Sequence, residues 1–255
     1  MRSVARCLHA ELIRTAGRSR LWTVYVPTAI VAPVVISLLI AVIAERFARI
    51  PGQLTVLEVS TSNSAYWVTV ITVVIAAVAA ADGQSAENRY HALDHVLLAV
   101  PRQWTQLVGN WLFYGALAAA LAAVATVITL ICLPMVANSV YGAVSIADSF
   151  GWRLLWTMPL YAFFAAGAGI AAGALLRSAL ASATLILFWA YVIEEAVGYL
   201  PNGAYLQQFM PVFNAMFATG QDIALAPPWG HNVALVYVCM LFSSFFVIAA
   251  IKRKR

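Results

Sequence analysis

Two adjacent carboxylates, Glu194 and Glu195, are among the few residues of this sequence whose chemistry stands out. They follow directly on an apolar stretch, and ionised carboxylates in such a position are costly unless they face water or a partner. We interpret them as candidates for lining a path across a membrane, near its outer exit. Ordinary residues of the membrane interface are the alternative.

A second group of charged and polar side chains lies in the stretch 82–103. Polar residues come first, a short apolar run follows, and a proline closes the run. A short helix of this kind between two membrane spans can dock into a groove on a soluble partner, whereas a solvated loop would not explain the ordered apolar run. The residues that we predict for this contact are Glu87, Arg89, His91, Asp94, Leu97, Leu98, Pro101 and Arg102.

The sequence lacks the residues of several common sites. A P-loop that cradles ATP phosphates needs a Gly-rich turn ending in Gly-Lys-Ser/Thr, and no lysine precedes Lys252. The three cysteines, Cys7, Cys132 and Cys239, are far apart and share no metal-ligand spacing. We therefore predict no catalytic residue, metal or cofactor in this chain. We also predict no nucleic-acid partner, because its positive charge forms no basic stripe.

The elements that carry these residues are predicted to be membrane spans. Hydrophobic residues make up 63% of the 255 residues and charged residues only 10%, whereas a soluble domain has roughly 25% charged residues. A helix of about 20 apolar residues crosses the hydrocarbon. We predict an all-α, polytopic membrane protein with a single transmembrane domain over residues 1–255. Its six spans are 21–44, 64–81, 104–136, 152–176, 180–197 and 232–251.

The distribution of basic residues predicts the orientation of the spans. Twelve of the 15 lysines and arginines lie in the two termini and in the loops after the second and fourth spans. The other three are Arg46, Arg49 and Arg153. Because lysine and arginine accumulate in cytoplasmic loops, both termini should be cytoplasmic.

Two further segments outside the spans are predicted to be helical. Residues 1–20 place Val4, Leu8 and Leu12 on one helical face and basic side chains on others, which is typical of an amphipathic helix on the inner membrane surface. Residues 198–231 are too long for a tight turn and carry aromatic and apolar residues among amides. That composition indicates one or two short extracellular or re-entrant helices.

Two patterns within the spans predict how the helices pack. Ala165, Gly169 and Gly173 recur every four residues and allow another helix to approach closely, either in the same chain or in a second subunit. Pro27 and Pro33 should kink the first span, because each removes a backbone hydrogen bond.

In its motif and its topology together, the chain resembles the permeases of type-2 ATP-binding-cassette (ABC) exporters, including the short permeases of drug and antimicrobial-peptide efflux systems. A basic amphipathic lead containing AELIR, with Glu11 and Arg14, precedes six spans. In that family the loop between spans two and three commonly begins with Glu, continues through a Leu-Leu pair, and ends with Pro and a basic residue. Here those positions are Glu87, Leu97, Leu98, Pro101 and Arg102. Many members have Gly-Thr in mid-loop, where this chain has Ala92-Leu93.

The resemblance implies a pair of permeases, formed by two copies or by a copy and a paralogue, in the plasma (inner) membrane of a bacterium. Each permease would dock a cytoplasmic ABC ATPase subunit through residues 82–103. That subunit would bind ATP and Mg and supply the energy, so the chain itself would be a transport subunit and not an enzyme. The substrate would be a hydrophobic or amphipathic compound (a drug, peptide or lipid-like molecule) leaving the cell along the dimer interface.

Two other functions stay open. Secondary transporters usually bury ionisable residues or break helices near the membrane midplane, whereas these spans contain almost no charge between their ends; a channel belongs to the same class of alternative. An intramembrane protease resembling the CAAX-processing family would use Glu194 and Glu195 in a Glu-Glu-x-x-x-Arg motif. Here position 199 is Tyr, and His231 is the one histidine predicted on that side of the membrane.

Overall fold

The computed structural model describes residues 2–17, 19–48, 58–89, 103–223 and 226–252, which form helices and connecting turns without a strand. Among these residues, six helices are long and apolar enough to cross a membrane. In chain order they are α2 (Leu21–Ala48), α3 (Thr61–Ala86), α4 (Trp104–Val136), α6 (Ser149–Leu176), α7 (Ala179–Val197) and α10 (His231–Lys252). The prediction of an all-α, polytopic membrane protein is confirmed.

Four shorter helices lie outside these spans in the described part of the chain. They are α1 (Arg2–Thr15), α5 (Asn138–Tyr141), α8 (Gly203–Gln207) and α9 (Pro211–Thr219). The last two occupy the segment 198–231, where short helices are predicted. α9 begins with Pro211, whose fixed φ suits the first helical position, and is capped after Thr219 by Gly220, whose φ of +95° favours glycine.

The second span differs most from its predicted bounds. Its helix continues to Arg89, about two turns beyond the predicted end at residue 81, and residues 87–89 are counted with α3 below. Polar side chains in this extension find tertiary partners: the Tyr25 hydroxyl donates to the Asp82 carboxylate (3.3 Å), and the Asn110 side chain donates to Gln84 (2.9 Å). These contacts keep polar residues helical where hydropathy alone predicts a loop.

The fourth span, α6, is the centre of the bundle and packs against α3, α4 and α10. Its predicted small-residue stripe, Ala165, Gly169 and Gly173, is buried. A Cβ at Gly169 would overlap the Ala77 carbonyl oxygen of α3, and a Cβ at Gly173 would lie 2.5 Å from the Ala81 carbonyl oxygen. The stripe therefore serves close packing between α3 and α6 within one chain.

The helix α1 and the last turns of α10 lie at the same end of the bundle, where α4 begins. Phe246, near the end of α10, packs against Trp111 of α4 with ring centroids 4.5 Å apart and the ring planes tilted by 42°. Cys7 of α1 lies against Gly109 of α4. We call this the terminal end, and we call the opposite end, which carries α5, α8 and α9, the distal end.

The carbonyl that Pro33 leaves without a helical donor is bonded by the second span. Pro33 lies inside α2 and has no N–H to donate to the carbonyl oxygen of Ala29, four residues earlier. The Thr72 hydroxyl of α3 donates to that oxygen at 2.8 Å, and both Ala29 and Thr72 are fully buried. A carbonyl without a partner inside a membrane is costly, so Thr72 makes this proline tolerable.

The spans α2 and α7 are covered least by the rest of the chain. Large apolar side chains such as Val31 and Leu39 on α2, and Leu187 and Phe188 on α7, are exposed. The faces that carry these side chains contact lipid or another polypeptide, because the chain itself leaves them bare.

Candidate functional site

The helix α1 packs against α4 at the terminal end. Its buried side chains, Cys7, Glu11 and Thr15, lie four residues apart and therefore share one face. Leu12, which we predict on the membrane-contacting face, is 54% exposed. One side of α1 thus belongs to the bundle, while the other leaves an apolar edge outside it.

Arg14 joins α1 to two membrane spans. Its guanidinium forms an ion pair with Glu11 (Nη2 to Oε2, 2.6 Å). The same guanidinium donates to the Gly83 carbonyl oxygen of α3 (3.0 Å) and to the Tyr114 hydroxyl of α4 (3.3 Å). Glu11 is almost fully buried, so Arg14 supplies the partner that a buried carboxylate needs. The two residues predicted in the leading helix therefore fasten that helix to the end of α3.

A layer of buried amides lies beside this contact. Gln84 on α3 and Asn110 on α4 are bonded to each other. Gln106, one turn before Asn110, is 2% exposed, and neither its amide oxygen nor its amide nitrogen has a hydrogen-bond partner among the described residues. We did not predict this layer, although two amides spaced four residues apart in an apolar helix are a readable signal for a shared polar face.

The predicted ATPase contact follows directly on this layer. Glu87 and Arg89 lie in the last turn of α3. The remaining predicted residues lie outside the described part of the chain, and their roles stay predictions. They are His91, Asp94, Leu97, Leu98, Pro101 and Arg102.

At the distal end, Glu194 is buried (1% exposed) and binds the start of α9. Its carboxylate accepts hydrogen bonds from the backbone N–H groups of Val212 (2.9 Å) and Phe213 (3.2 Å) and from the Trp189 indole (2.9 Å). The first N–H groups of a helix have no partner within the helix, and a negative charge there is favoured by the helix dipole. Glu194 therefore anchors α9 to the end of the fifth span.

The neighbouring Glu195 is exposed. A role in lining a path stays a prediction for both carboxylates, and for Glu194 it would require α9 to release the carboxylate. Sequence reasoning places Glu194 at the end of the span but does not predict its partners, because they come from a segment about 18 residues later whose fold depends on tertiary contacts.

The opposite end of α9 is held by the fourth span. Arg153 donates to the Ala218 carbonyl oxygen (2.9 Å) and to the Asn232 side chain (3.0 Å). The middle of α9 is fixed as well, because the Asn214 side chain accepts from the Trp229 indole at 3.0 Å. The short helix between spans five and six is therefore bonded at both ends and along its length.

Glu45 makes a similar contact that sequence reasoning missed. It ends the buried face of α2 and its carboxylate accepts from the backbone N–H of Ser139 (3.1 Å), in the first turn of α5, and from the Ser139 hydroxyl. A signal was available: Ser37, Ala41 and Glu45 are spaced four residues apart, so Glu45 continues a packed stripe.

A π-helical turn in α3, Val68–Thr72, is a junction for other elements in the distal half of the bundle. Tyr191, itself in a π-helical turn of α7, donates its hydroxyl to the Val70 carbonyl oxygen at 2.8 Å. Gln221, just after α9, donates to the Thr69 hydroxyl at 2.7 Å. Such turns leave backbone groups without their usual helical partners and often occur at functional sites.

Within the described residues, no three His, Cys, Asp or Glu side chains come together where a metal ion could bind. The chain matches no protein-family model, and no curated protein or solved structure matches it significantly.

Proposed function

We propose that this chain is the permease subunit of an ABC exporter, located in the bacterial inner membrane with both termini in the cytoplasm. The observation that carries the proposal is the Arg14 contact. It ties the amphipathic lead to the end of α3, the helix from which the loop with the Glu-to-Pro-Arg motif continues. A force applied to residues 87–102 would therefore reach α1, α3 and α4 together.

The energy for transport would come from a separate ATPase. The sequence has no lysine before Lys252 and hence no Walker A loop of its own. Binding of ATP and Mg would draw two ATPase subunits together, and the loop and α1 would carry that movement to the spans.

The hydrogen bonds among α2, α3 and α7 support the path that we propose. Thr72 links α3 to α2 through the Ala29 carbonyl, and Tyr191 links α7 to α3 through the Val70 carbonyl. A cavity between these spans, with Glu195 near its outer exit, would admit a hydrophobic or amphipathic compound. The bare apolar faces of α2 and α7 support a second permease copy or paralogue as the other wall.

Copurification tests the proposal. The tagged chain would be extracted from native membranes under mild conditions, and we expect a Walker-type ATPase to coelute in a matching amount. A folded permease that repeatedly elutes without an ATPase would overturn the proposal and favour a channel or a secondary transporter.

Variants of the loop test the contact itself. Arg89→Gln and Asp94→Asn should weaken ATPase association, because each removes a charge from the proposed surface. Glu195→Gln at the distal end is the matched control and should leave association unchanged. Equal ATPase recovery from all three variants, with unchanged thermal unfolding, would remove Arg89 and Asp94 from the contact.

A further inference from the structure

A groove runs between α6 and α10 on the surface that faces the membrane. Its volume is about 790 Å³, and its walls are apolar apart from two hydroxyls, Ser243 and Ser244. On α10 the groove extends from Leu235 to Ile248, which corresponds to about 20 Å of helix. This length exceeds half of the roughly 30 Å hydrocarbon thickness, so the groove fits an acyl chain from one leaflet.

A polar pocket of about 360 Å³ adjoins the distal end of this groove. It is lined by residues that include Trp152, Arg153, Trp156 and His231. Trp156 and His231 each lie one helical turn before a groove residue, so the pocket and the groove share the same two helix faces. Tryptophan at this depth is typical of the level of lipid headgroups.

Among the residues that the structure describes, no carboxylate forms an ion pair with Arg153. Its guanidinium donates to the Ala218 carbonyl and to Asn232, both uncharged, and it lies 5.6 Å from the centre of the Trp156 ring. A guanidinium with N–H groups to spare at the edge of a membrane is suited to bind phosphate oxygens.

We propose that the groove and Arg153 together form a binding site for an anionic phospholipid. One acyl chain lies between α6 and α10, and the phosphate contacts Arg153 in the distal pocket. The apolar groove leads to the Arg153 cation at its distal end, in the same way as the acyl tail of a phospholipid leads to its charged headgroup. This site is separate from the proposed ATPase contact and does not depend on it.

Photo-crosslinking in nanodiscs tests the proposal. The probe is phosphatidylglycerol with a diazirine in one acyl chain, and the labelled peptides are identified by mass spectrometry. We expect the α10 peptide that contains Ser243 and Ser244 to be labelled much more strongly than the peptides from the exposed faces of α2 and α7. A diacylglycerol probe without phosphate should label this peptide roughly tenfold less, as expected for loss of one charge-assisted contact. Even labelling of all exposed spans, or equal labelling by both probes, would overturn the site.

Substitutions separate the headgroup contact from the groove. Arg153→Gln should lower labelling about tenfold, and Arg153→Lys should retain most of it. Arg46→Gln, an exposed arginine also at the distal end, is the matched control and should have no effect. An unchanged signal in Arg153→Gln would contradict the phosphate contact.

Because Arg153 also bonds α9, Arg153→Gln could disturb the fold, and Ser243→Phe provides an independent test. This variant fills the groove and leaves Arg153 in place. We expect it to abolish labelling of α10 at an unchanged unfolding midpoint. Full labelling of Ser243→Phe would exclude the groove as the acyl site.

Discussion

Glu194 and Arg153 hold opposite ends of the same nine-residue helix, α9. The carboxylate accepts from the first N–H groups of α9, and the guanidinium donates to the carbonyl of Ala218 in its last turn. Each charge therefore complements the end of the helix dipole that it touches. Since the two side chains come from α7 and α6, a helix far too short to be stable alone becomes part of the bundle.

Removing the charge of Glu194 should loosen the start of α9. In Glu194→Gln the NH2 group of the new side chain faces the backbone N–H groups of Val212 and Phe213, and it cannot accept their hydrogen bonds. We therefore expect a loss of about 1–3 kcal/mol in the free energy of unfolding. Hydrogen exchange should accelerate at the amides of Val212 and Phe213. The control is Glu195→Gln, which changes an exposed carboxylate. Equal exchange in the two variants would show that the cap does not hold α9.

Adding a methyl group to the α3–α6 contact should separate the two helices. Gly169→Ala places a Cβ against the Ala77 carbonyl oxygen, and because that neighbour is backbone it cannot move aside alone. We expect a loss of about 1–3 kcal/mol, measured by unfolding in mixed micelles. Gly230→Ala is the control, since no heavy atom lies within 4 Å of a Cβ there. A neutral Gly169→Ala variant would disprove the close approach.

The Thr72 hydroxyl bonds the carbonyl that Pro33 leaves free, so the effects of substituting Thr72 and Pro33 on the free energy of unfolding should not be additive. Thr72→Val leaves the Ala29 carbonyl unbonded and should cost roughly 0.6–2 kcal/mol. Pro33→Ala restores an N–H to that carbonyl, so the same Thr72 substitution should cost much less in the Pro33→Ala background. Thr28→Val, whose hydroxyl bonds within α2, is the control and should cost the same in both backgrounds. Additive effects of Pro33→Ala and Thr72→Val would argue against the pairing.

Detaching α1 should expose Cys7. Arg14→Gln removes the links to Gly83 and Tyr114, and in a Cys132→Ala, Cys239→Ala background we expect faster labelling of Cys7 by a maleimide. Arg6→Gln changes an exposed arginine on the same helix and should leave the rate unchanged. If Cys7 is labelled no faster in Arg14→Gln than in the parent chain, Arg14 does not fasten the helix.

Hydropathy predicts the spans of this chain well, because a membrane helix must be apolar over its whole length and the pattern is therefore local. The third span is described by the same residues, Trp104–Val136, in prediction and structure. The polar contacts were much less predictable. The partners of Glu194 and Glu45 come from short helices whose positions depend on tertiary packing, and no sequence pattern links Glu45 to Ser139 across 94 residues.

The proline in α2 is an intermediate case. Its effect on the helix follows from the chemistry of Pro33 alone, and the kink was predicted on that ground. The identity of the donor that bonds the freed Ala29 carbonyl, Thr72, required knowledge of which helices are neighbours.

The glycine-to-carbonyl contacts between α3 and α6 also restrict how the molecule can move. A screw motion of α6 by one residue, a rotation of about 100° with a shift of about 1.5 Å, would bring Ala168 or Ile170 to the place of Gly169, against the Ala77 carbonyl, where even a methyl group has no space. The contact therefore opposes rotation of α6 about its own axis relative to α3, and we expect the two helices to move together. The less covered helices α2 and α7 are then the elements that can move against this pair.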